Sequence, residues 1–354
     1  KIVHTLTYPF VINLHLSDSS YLTFEESNIR AYNGDVSPLD VLSFSARTMS
    51  IPIHLDRQLS IGWHFHDGFS LENRRNTLRY LMADLIVNHS IFPLFESRTV
   101  RWPLPSKIKL GFDKVYVINL KRRYDRRERM ERICDILGLE CTIFDAIDGD
   151  SIPSEYSINQ LNTFYDPHSK RKMTNGEVGC FLSHYRIWNE VVSYGFNRVI
   201  VLEDDGRFVN EAFDMITEAM NDIDTNQLEW GLIYLGRKKL ADQINTEVWV
   251  PNIRHLSRVG YSYWTIGYGL SLSGAYSLLS SNPLNNLVPV DEYIPIMGDI
   301  HPNRLWSQSF NNRNLSMYTI HPLVVYPQRY TNEEGHVSDT ESSQLFQEMK
   351  KNEL

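Results

Sequence analysis

Two hydrophobic rhythms share this chain. One is short runs of consecutive apolar residues; the other is apolar residues returning every three or four positions. The first suits buried strands, the second amphipathic helices. Lys114-Val115-Tyr116-Val117-Ile118-Asn119-Leu120 predicts a strand. Met130, Ile133 and Leu137 then recur at helical spacing, so the segment after it predicts a helix with a strongly basic first turn, ended near Gly138. Residues 141–147 predict the next strand, closing in the turn Asp148-Gly149-Asp150. This strand–helix–strand order predicts a parallel α/β sheet. Thr174 and Glu177 stand at capping-box spacing, Val178, Phe181, Leu182, Tyr185, Trp188 and Val192 form one apolar face, and Gly195 ends that helix. Val199 to Leu202 are four apolar, mostly β-branched residues and predict a short buried strand. Residues 230–235 predict another, followed by Gly236-Arg237-Lys238-Lys239. Residues 261–270 alternate aromatic and small residues, and 274–279 read as helical. Beyond Pro322 the pattern turns irregular and acidic, which predicts a tail.

The first hundred residues hold strand-like runs at 8–14 and 41–44 and one good helix at 71–89. His64-Phe65-His66-Asp67 presents two imidazoles on one strand face, as a metal site needs; a surface or satisfied core pair is the plainer reading. Two prolines, basic residues and a glycine make residues 101–111 a linker, and no internal repeat is present.

At 354 residues the chain is long enough for two domains, and its 42% hydrophobic and 22% charged content is that of a globular protein. No apolar stretch approaches the about 20 residues of a membrane span. A net charge of −8 argues against a general nucleic-acid binder. Cys134, Cys141 and Cys180 make no disulfide framework and no zinc spacing, and an odd count argues mildly against an oxidising compartment. The first residues carry neither an initiator Met nor a signal peptide, so the chain is expected to start part-way through a longer protein. Against the cysteine count stands the terminal Lys351-Asn352-Glu353-Leu354, which resembles an endoplasmic-reticulum retrieval signal. Two sequons, Asn88-His89-Ser90 and Asn314-Leu315-Ser316, fit the same route. The tail outweighs the cysteines, and the endoplasmic-reticulum lumen is the expected location.

The most informative chemistry follows the strand at Val199 to Leu202: Glu203-Asp204-Asp205. Carboxylates at the carboxyl end of a strand sit where α/β folds open into a ligand crevice. Three together repel one another unless a cation is shared. Oxygen donors of this kind suit Mg²⁺ or Mn²⁺. The alternative is a solvated acidic turn.

In this context residues 111–341 resemble the collagen β-galactosyltransferases of glycosyltransferase family 25. The resemblance rests on Val117-Ile118-Asn119-Leu120-Lys121-Arg122-Arg123-Tyr124-Asp125-Arg126-Arg127-Glu128-Arg129-Met130, Asp145-Ala146-Ile147-Asp148-Gly149, Gly176-Glu177-Val178-Gly179-Cys180-Phe181-Leu182-Ser183-His184-Tyr185 and Leu202-Glu203-Asp204-Asp205. It continues through Leu232-Ile233-Tyr234-Leu235-Gly236-Arg237, Tyr261-Ser262-Tyr263-Trp264-Thr265, Leu287-Val288-Pro289-Val290-Asp291-Glu292, Asp299-Ile300-His301-Pro302 and Val337-Ser338-Asp339-Thr340-Glu341. It implies an α/β fold with a GT-A-like, Rossmann-type catalytic domain over 112–341. Residues 1–100 would be the C-terminal part of an accessory glycosyltransferase-like domain, and 342–354 a tail ending in the retrieval-like signal. The implied activity is inverting transfer of galactose from UDP-galactose to hydroxylysine in collagen. Gly206 departs from the family, which usually has a larger apolar residue there.

Such a transfer needs the leaving diphosphate neutralised, which a divalent ion bridging the phosphates does as a Lewis acid. Asp205 is the first expected ligand, with Glu203 or Asp204 next. Asp299 and His301 are expected to complete the shell from another loop, the imidazole favouring Mn²⁺ over Mg²⁺; a loop cap is the alternative for Asp299. Asn119, Leu120, Arg122 and Arg123 are candidates for uridine and diphosphate, because guanidinium forks and helix N-termini suit phosphate. The alternative is a solvated basic helix face. Asp145 and Asp148 are candidates for ribose hydroxyls or simple turn caps. Inversion needs one base on the acceptor side, for which Asp291 is preferred over Glu292; otherwise both are helix N-terminal acids stabilised by the dipole. Other readings stay open: a related UDP-sugar transferase, for example glucosyl; a metal-dependent phosphohydrolase, which lacks a second ligand set here; and an inactive scaffold, disfavoured by the intact acids. Neither a nucleic acid nor a membrane span is expected, and a homodimer stays open.

Overall fold

A computed structural model describes residues 2–3, 22–29, 32–34, 37–51, 53–54, 70–89, 104–156, 161, 163, 165–166, 171–239, 248–329 and 338–340. The chain forms two compact units, Lys1–Arg74 and Arg75–Leu354.

In the first unit β1 (Ile2–Val3) pairs antiparallel with β2 (Ile53–His54). Helix α1 (Pro38–Thr48) begins with proline at its N-terminus, where the missing N–H and fixed φ suit a helix start. The strand expected at 41–44 is therefore a helix. Val41, Leu42 and Ser43 are buried together, and Ser45 and Ala46 again one turn later, a run of adjacent buried positions that a helix face allows and strand alternation does not. The strand expected at 8–14 and the His64/His66 pair lie outside the described residues. Helix α2 (Leu71–His89) stands where expected, with the boundary between units inside it.

The second unit continues from α2 with β3 (Lys114–Asn119), α3 (Tyr124–Leu137), β4 (Thr142–Asp145) and the short ribbon of β5 (Tyr165–Asp166) and β6 (Arg171–Lys172). Then come α4 (Asn175–Tyr194), β7 (Arg198–Glu203), β8 (Gly206–Phe208), α5 (Ala212–Asn226), β9 (Leu232–Lys239), β10 (Leu256–Arg258), β11 (Ser262–Ser271) and α6 (Leu272–Ser280). Helices α7 (Val290–Met297) and α8 (Arg304–Gln308) and strands β12 (Met317–Ile320) and β13 (Val325–Pro327) complete it. Seven strands form one sheet in the order β10-β12-β9-β11-β7-β3-β4. The parallel sheet predicted from the strand–helix–strand pattern is present in β4, β3 and β7. Strand β11, however, runs antiparallel to both β7 and β9, which makes the sheet mixed. Its register opposite β7, Gly267 against Leu202, brings the start of β11 to the carboxyl end of β7.

Strand alternation divides the core into two layers. Val115, Val117, Ile200 and Leu202 face a layer with residues of α2, α3 and α5. Tyr116, Val199 and Val201 face the other, with α4, α6 and α7. The result is a mixed α/β, Rossmann-like domain. Helix α3 ends at Gly138, in the left-handed region at φ 75°, and α4 carries the full Thr174/Glu177 capping box and ends at Gly195, φ 66°. The reversal at Gly138 brings Cys134 and Cys141 together in a disulfide. The cysteine count had concealed this bond, and with it the argument against an oxidising compartment falls. The chain beyond Pro322 is also more than a tail: β13 pairs with β8, and the Thr174 hydroxyl donates to the Thr340 carbonyl at 2.6 Å.

Helix α4 lies so close to the loop after β4 that a Cβ on Gly179 would stand 2.5 Å from the Ile147 carbonyl oxygen. Alanine gains up to about 1 kcal/mol over glycine in a helix interior, but overpacking against backbone costs about 1–3 kcal/mol. Gly179→Ala is therefore expected to destabilise the domain by about 1–2 kcal/mol net in a denaturant titration. An unchanged or raised midpoint would show that the loop gives way.

Candidate active site

The carboxyl ends of β3, β4 and β7 and the start of β11 border one cleft made of two adjoining pockets, which share Cys180, Glu203, Asp205, Ser338 and Thr340. Its organisation begins with the three consecutive acids. Asp204 turns inward, where its carboxylate accepts from Asn119 Nδ2 at 2.7 Å and Arg126 Nη1 at 3.0 Å. Arg129 Nη2 donates to the Asp204 carbonyl at 2.6 Å. Glu203 and Asp205 instead face the cleft. Glu203 accepts from the Thr265 hydroxyl at 2.8 Å. Asp205 has its main-chain carbonyl bonded by Gln328 N at 2.7 Å, while its buried Oδ1 has no partner. Burial raises both carboxyl pKa values; Asp205 pushes Glu203 further, whereas Arg126 opposes the rise at Asp205. An orphaned carboxylate oxygen beside a second crowded carboxylate fits a shared divalent cation, which would supply the missing partner and relieve the repulsion.

The first pocket is basic on its far wall. Arg122 and Arg126 line it with Leu120 and Asp148. Arg122 donates to Asp148 at 2.8 Å and to Asp339 at 2.7 Å. Arg123 also holds Asp339, at 2.6 Å, and holds Asp125, but does not line the cleft. Asn119 lies behind it, its Nδ2 donating to Asp204 and to the Arg123 carbonyl. Asp145 is an exposed partner of Lys121 at 3.1 Å and also stays outside.

The second pocket contains Asp291, from the first turn of α7, together with Glu203 and Asp205. Burial pushes the Asp291 pKa up to about 7, helped by Glu292 and Glu177 and opposed by the Trp264 backbone N–H. Glu292 points elsewhere, accepting from Tyr261 Oη and pairing with His301 Nε2, each at 2.7 Å. The structure does not bring the expected Asp299/His301 pair to the cleft. Asp299, at φ 54°, is exposed and pairs with Arg313 at 2.9 Å, while His301 is buried on Glu292 and stacked on Trp306.

Several residues at the cleft were not singled out from sequence. Arg126 looked like one of many arginines on a basic helix. Asp339 lay in a quoted motif without a role, as did Cys180, His184 and Thr265. Trp264 has φ 64°, in the left-handed region that a bulky residue seldom adopts, and sits where the β11–β9 register shifts. That irregularity sets its N–H on Asp291 and the next hydroxyl on Glu203. Gly206, the departure from the family pattern, is buried and held by the β8–β13 pairing opposite Pro327.

Residues 112–294 match the family "Glycosyltransferase family 25 (LPS biosynthesis protein)". The chain is 37% identical to a "Glycosyltransferase 25 family member" of Anopheles gambiae, over 99% of this chain and 60% of that protein. It is 35% identical to "Procollagen galactosyltransferase 2" of Mus musculus, over 95% of this chain and 54% of the other. It is also 36% identical to "Probable inactive glycosyltransferase 25 family member 3" of Bos taurus, over 94% and 56%. The chain thus spans a little over half the length of the curated relatives it matches.

The raised Asp291 pKa has a consequence for stability. A carboxyl whose folded pKa lies near 7, against 3.8 ordinarily, contributes most below about pH 4 and loses that contribution as pH rises through about 7. Asp291→Asn removes this loss. Its unfolding free energy relative to wild type is expected to rise between pH 4 and pH 8, by on the order of 2–4 kcal/mol. A pH-independent difference would show that Asp291 is not held in its neutral form.

Proposed function

This chain belongs to glycosyltransferase family 25, and we propose that it performs inverting, divalent-metal-dependent transfer of galactose from UDP-galactose to hydroxylysine hydroxyls of collagen or procollagen. The observation that carries this reading is the cleft itself: Glu203 and Asp205 with an orphaned oxygen, arginines on one side and a raised-pKa Asp291 on the other. The galactosyl donor and collagen acceptor are supported by the similarity to a procollagen galactosyltransferase. We assign catalysis to residues 112–341 and an accessory role to 1–100.

The roles follow from position. Glu203 and Asp205 hold the cation, which supplies Lewis-acid neutralisation of the diphosphate when bound. We propose Mn²⁺ as that cation and keep Mg²⁺ as the alternative, since the oxygen donors of Glu203 and Asp205 suit both. Arg122 and Arg126 take the diphosphate charge, with Arg122 exchanging Asp148 and Asp339 for phosphate oxygens. Asp148 and Leu120 border the nucleoside side. On the acceptor side Asp291 accepts the proton of the incoming hydroxyl as the new bond to the sugar's anomeric carbon forms and the bond to diphosphate breaks. UDP leaves with that electron pair, and a single displacement inverts the centre. Glu292, committed to Tyr261 and His301, positions the α7 turn.

The lumen of the endoplasmic reticulum is the compartment we propose. The Cys134–Cys141 disulfide supports an oxidising site, and among the described residues no helix is long and apolar enough to cross a membrane. A second reading, a catalytically silent member, is favoured by the 36% identity to a probable inactive relative.

Radiolabelled transfer from a panel of UDP-sugars to collagen peptides, using the full-length protein, decides between them. UDP-galactose is expected to be the donor, and chelation to abolish transfer until Mn²⁺ is returned. Asp205→Asn should lose most activity while staying folded. Asp291→Asn should lower kcat by about 10²–10⁴-fold with UDP binding nearly intact, and Glu292→Gln by much less. Because Asp291 must be ionised to accept a proton, kcat in wild type is expected to rise as pH passes through about 7. Full activity in excess chelator would remove the metal from the mechanism, and no transfer from any donor would favour the silent member.

A further inference from the structure

His184 has one ring nitrogen with no role in the scheme above. Its Nδ1 lies 2.8 Å from the Tyr268 hydroxyl, which also accepts from Trp188 Nε1 at 3.1 Å. Its Nε2 has no hydrogen-bond partner, in a side chain that is completely buried. That nitrogen lies 4.0 Å from Glu203 Oε1. One turn earlier on α4, Cys180 occupies the same helix face, as i and i+4 positions do. A ligand atom from each of Cys180, His184 and Glu203 lies within 4.8 Å of the other two, the one such group among the described residues. Cys134 and Cys141 are joined to each other, so Cys180 is the chain's free thiol.

We propose that Cys180, His184 and Glu203 form a binding site for a thiophilic divalent cation of the Zn²⁺ class, distinct in its donor set from the oxygen site of Glu203 and Asp205. A sulfur, an imidazole nitrogen and a carboxylate oxygen are the mixed set that Zn²⁺ accepts and that Mg²⁺ and Mn²⁺ leave to softer ions. Tetrahedral zinc needs neighbouring donors about 3.2–3.6 Å apart, so the group closes by about 1 Å of side-chain movement. The fourth position opens on the cleft that Cys180 lines. Tyr268 is placed to accept Nδ1–H once Nε2 binds the ion, the outer-shell partner a metal-bound histidine normally has. On binding, the sulfur–metal bond forms and the thiol proton passes to solvent. Glu203 belongs to both sites, so an ion held by Cys180 and His184 withdraws a ligand from the hard cation and inhibits transfer. Only that last consequence rests on the proposed function.

Co²⁺ is the probe, added to the full chain without reductant, donor or acceptor, so that Cys134 and Cys141 stay paired. The expected result is a thiolate-to-cobalt charge-transfer band saturating at one equivalent, displaced by Zn²⁺ and not by equal Mn²⁺. Cys180→Ser should abolish the band, and His184→Gln and Glu203→Gln should each weaken binding by about tenfold or more. As a measurement independent of variant folding, Zn²⁺ should protect Cys180 of the wild-type chain from alkylation. No band in folded wild type, a band that survives in Cys180→Ser, or alkylation unaffected by Zn²⁺ would each overturn the proposal. None of these readings depends on sugar transfer, so failure here leaves the transferase reading standing, and the reverse also holds.

Discussion

The site depends on how one buried charge is satisfied. Asp204 is the middle of three acids at a strand end. Glu203 closes β7, and Asp204 and Asp205 form the turn after it; in that turn Asp204 is buried against α3 while its neighbours face the cleft. A buried carboxylate without partners costs several kcal/mol. Asn119 from β3 and Arg126 from α3 meet it, and Arg129 takes its main-chain carbonyl. The same contacts tie the first turns of α3 to the ends of β3 and β7. They thereby fix the direction in which Glu203 and Asp205 leave the sheet. Their mutual repulsion, unlike that of Asp204, has no arginine bonded to it and is left facing the cleft.

Burial then gives chemically identical groups different tasks. Glu203, Asp205 and Asp291 all have raised pKa values from desolvation. Asp205 has guanidinium groups of Arg126 and Arg129 near enough to oppose its rise. Asp291 has the carboxylates of Glu292 and Glu177 raising it further, and backbone N–H groups of Trp264 and of Asp291 itself against them. A proton is therefore held more tightly on the α7 side than an isolated aspartate would hold it, which is the tuning a base working near neutral pH needs.

Legibility in the sequence followed the periodicity. Strands β3 and β7 and helix α4 were readable because apolar runs and a capping box mark their positions locally. The direction of β11 was not, since alternation is the same whichever way a strand runs. Residues 41–44 misled because two adjacent apolar residues fit either period until the burial of Ser45 and Ala46 settles it. Glu203, Asp205, Arg122, Asp148 and Asp291, all singled out from sequence, border the cleft, whereas Asp204 is committed inward to Asn119 and Arg126. Asp299 and His301 were not well placed, because neighbours in sequence at a reversal point in opposite directions: one pairs with Arg313 in solvent and the other is buried on Glu292. Cys134 and Cys141 went unpaired because counting cysteines ignores the turn at Gly138 that joins them.

The remaining constraint is backbone strain at Trp264. A left-handed φ for a tryptophan costs on the order of 1–3 kcal/mol and persists only when its surroundings over-determine it. Here the surroundings are the two acids themselves. The register shift in β11 that requires the unusual φ also presents the Trp264 N–H to Asp291 and the Thr265 hydroxyl to Glu203. In a regular strand the Trp264 N–H would lie in the plane of the sheet and be directed at a neighbouring strand, not at a side chain of α7. One irregular dipeptide thus holds the carboxylates of both pockets in a common frame. It makes the distance between the cation side and the acceptor side a property of the sheet and not of mobile loops.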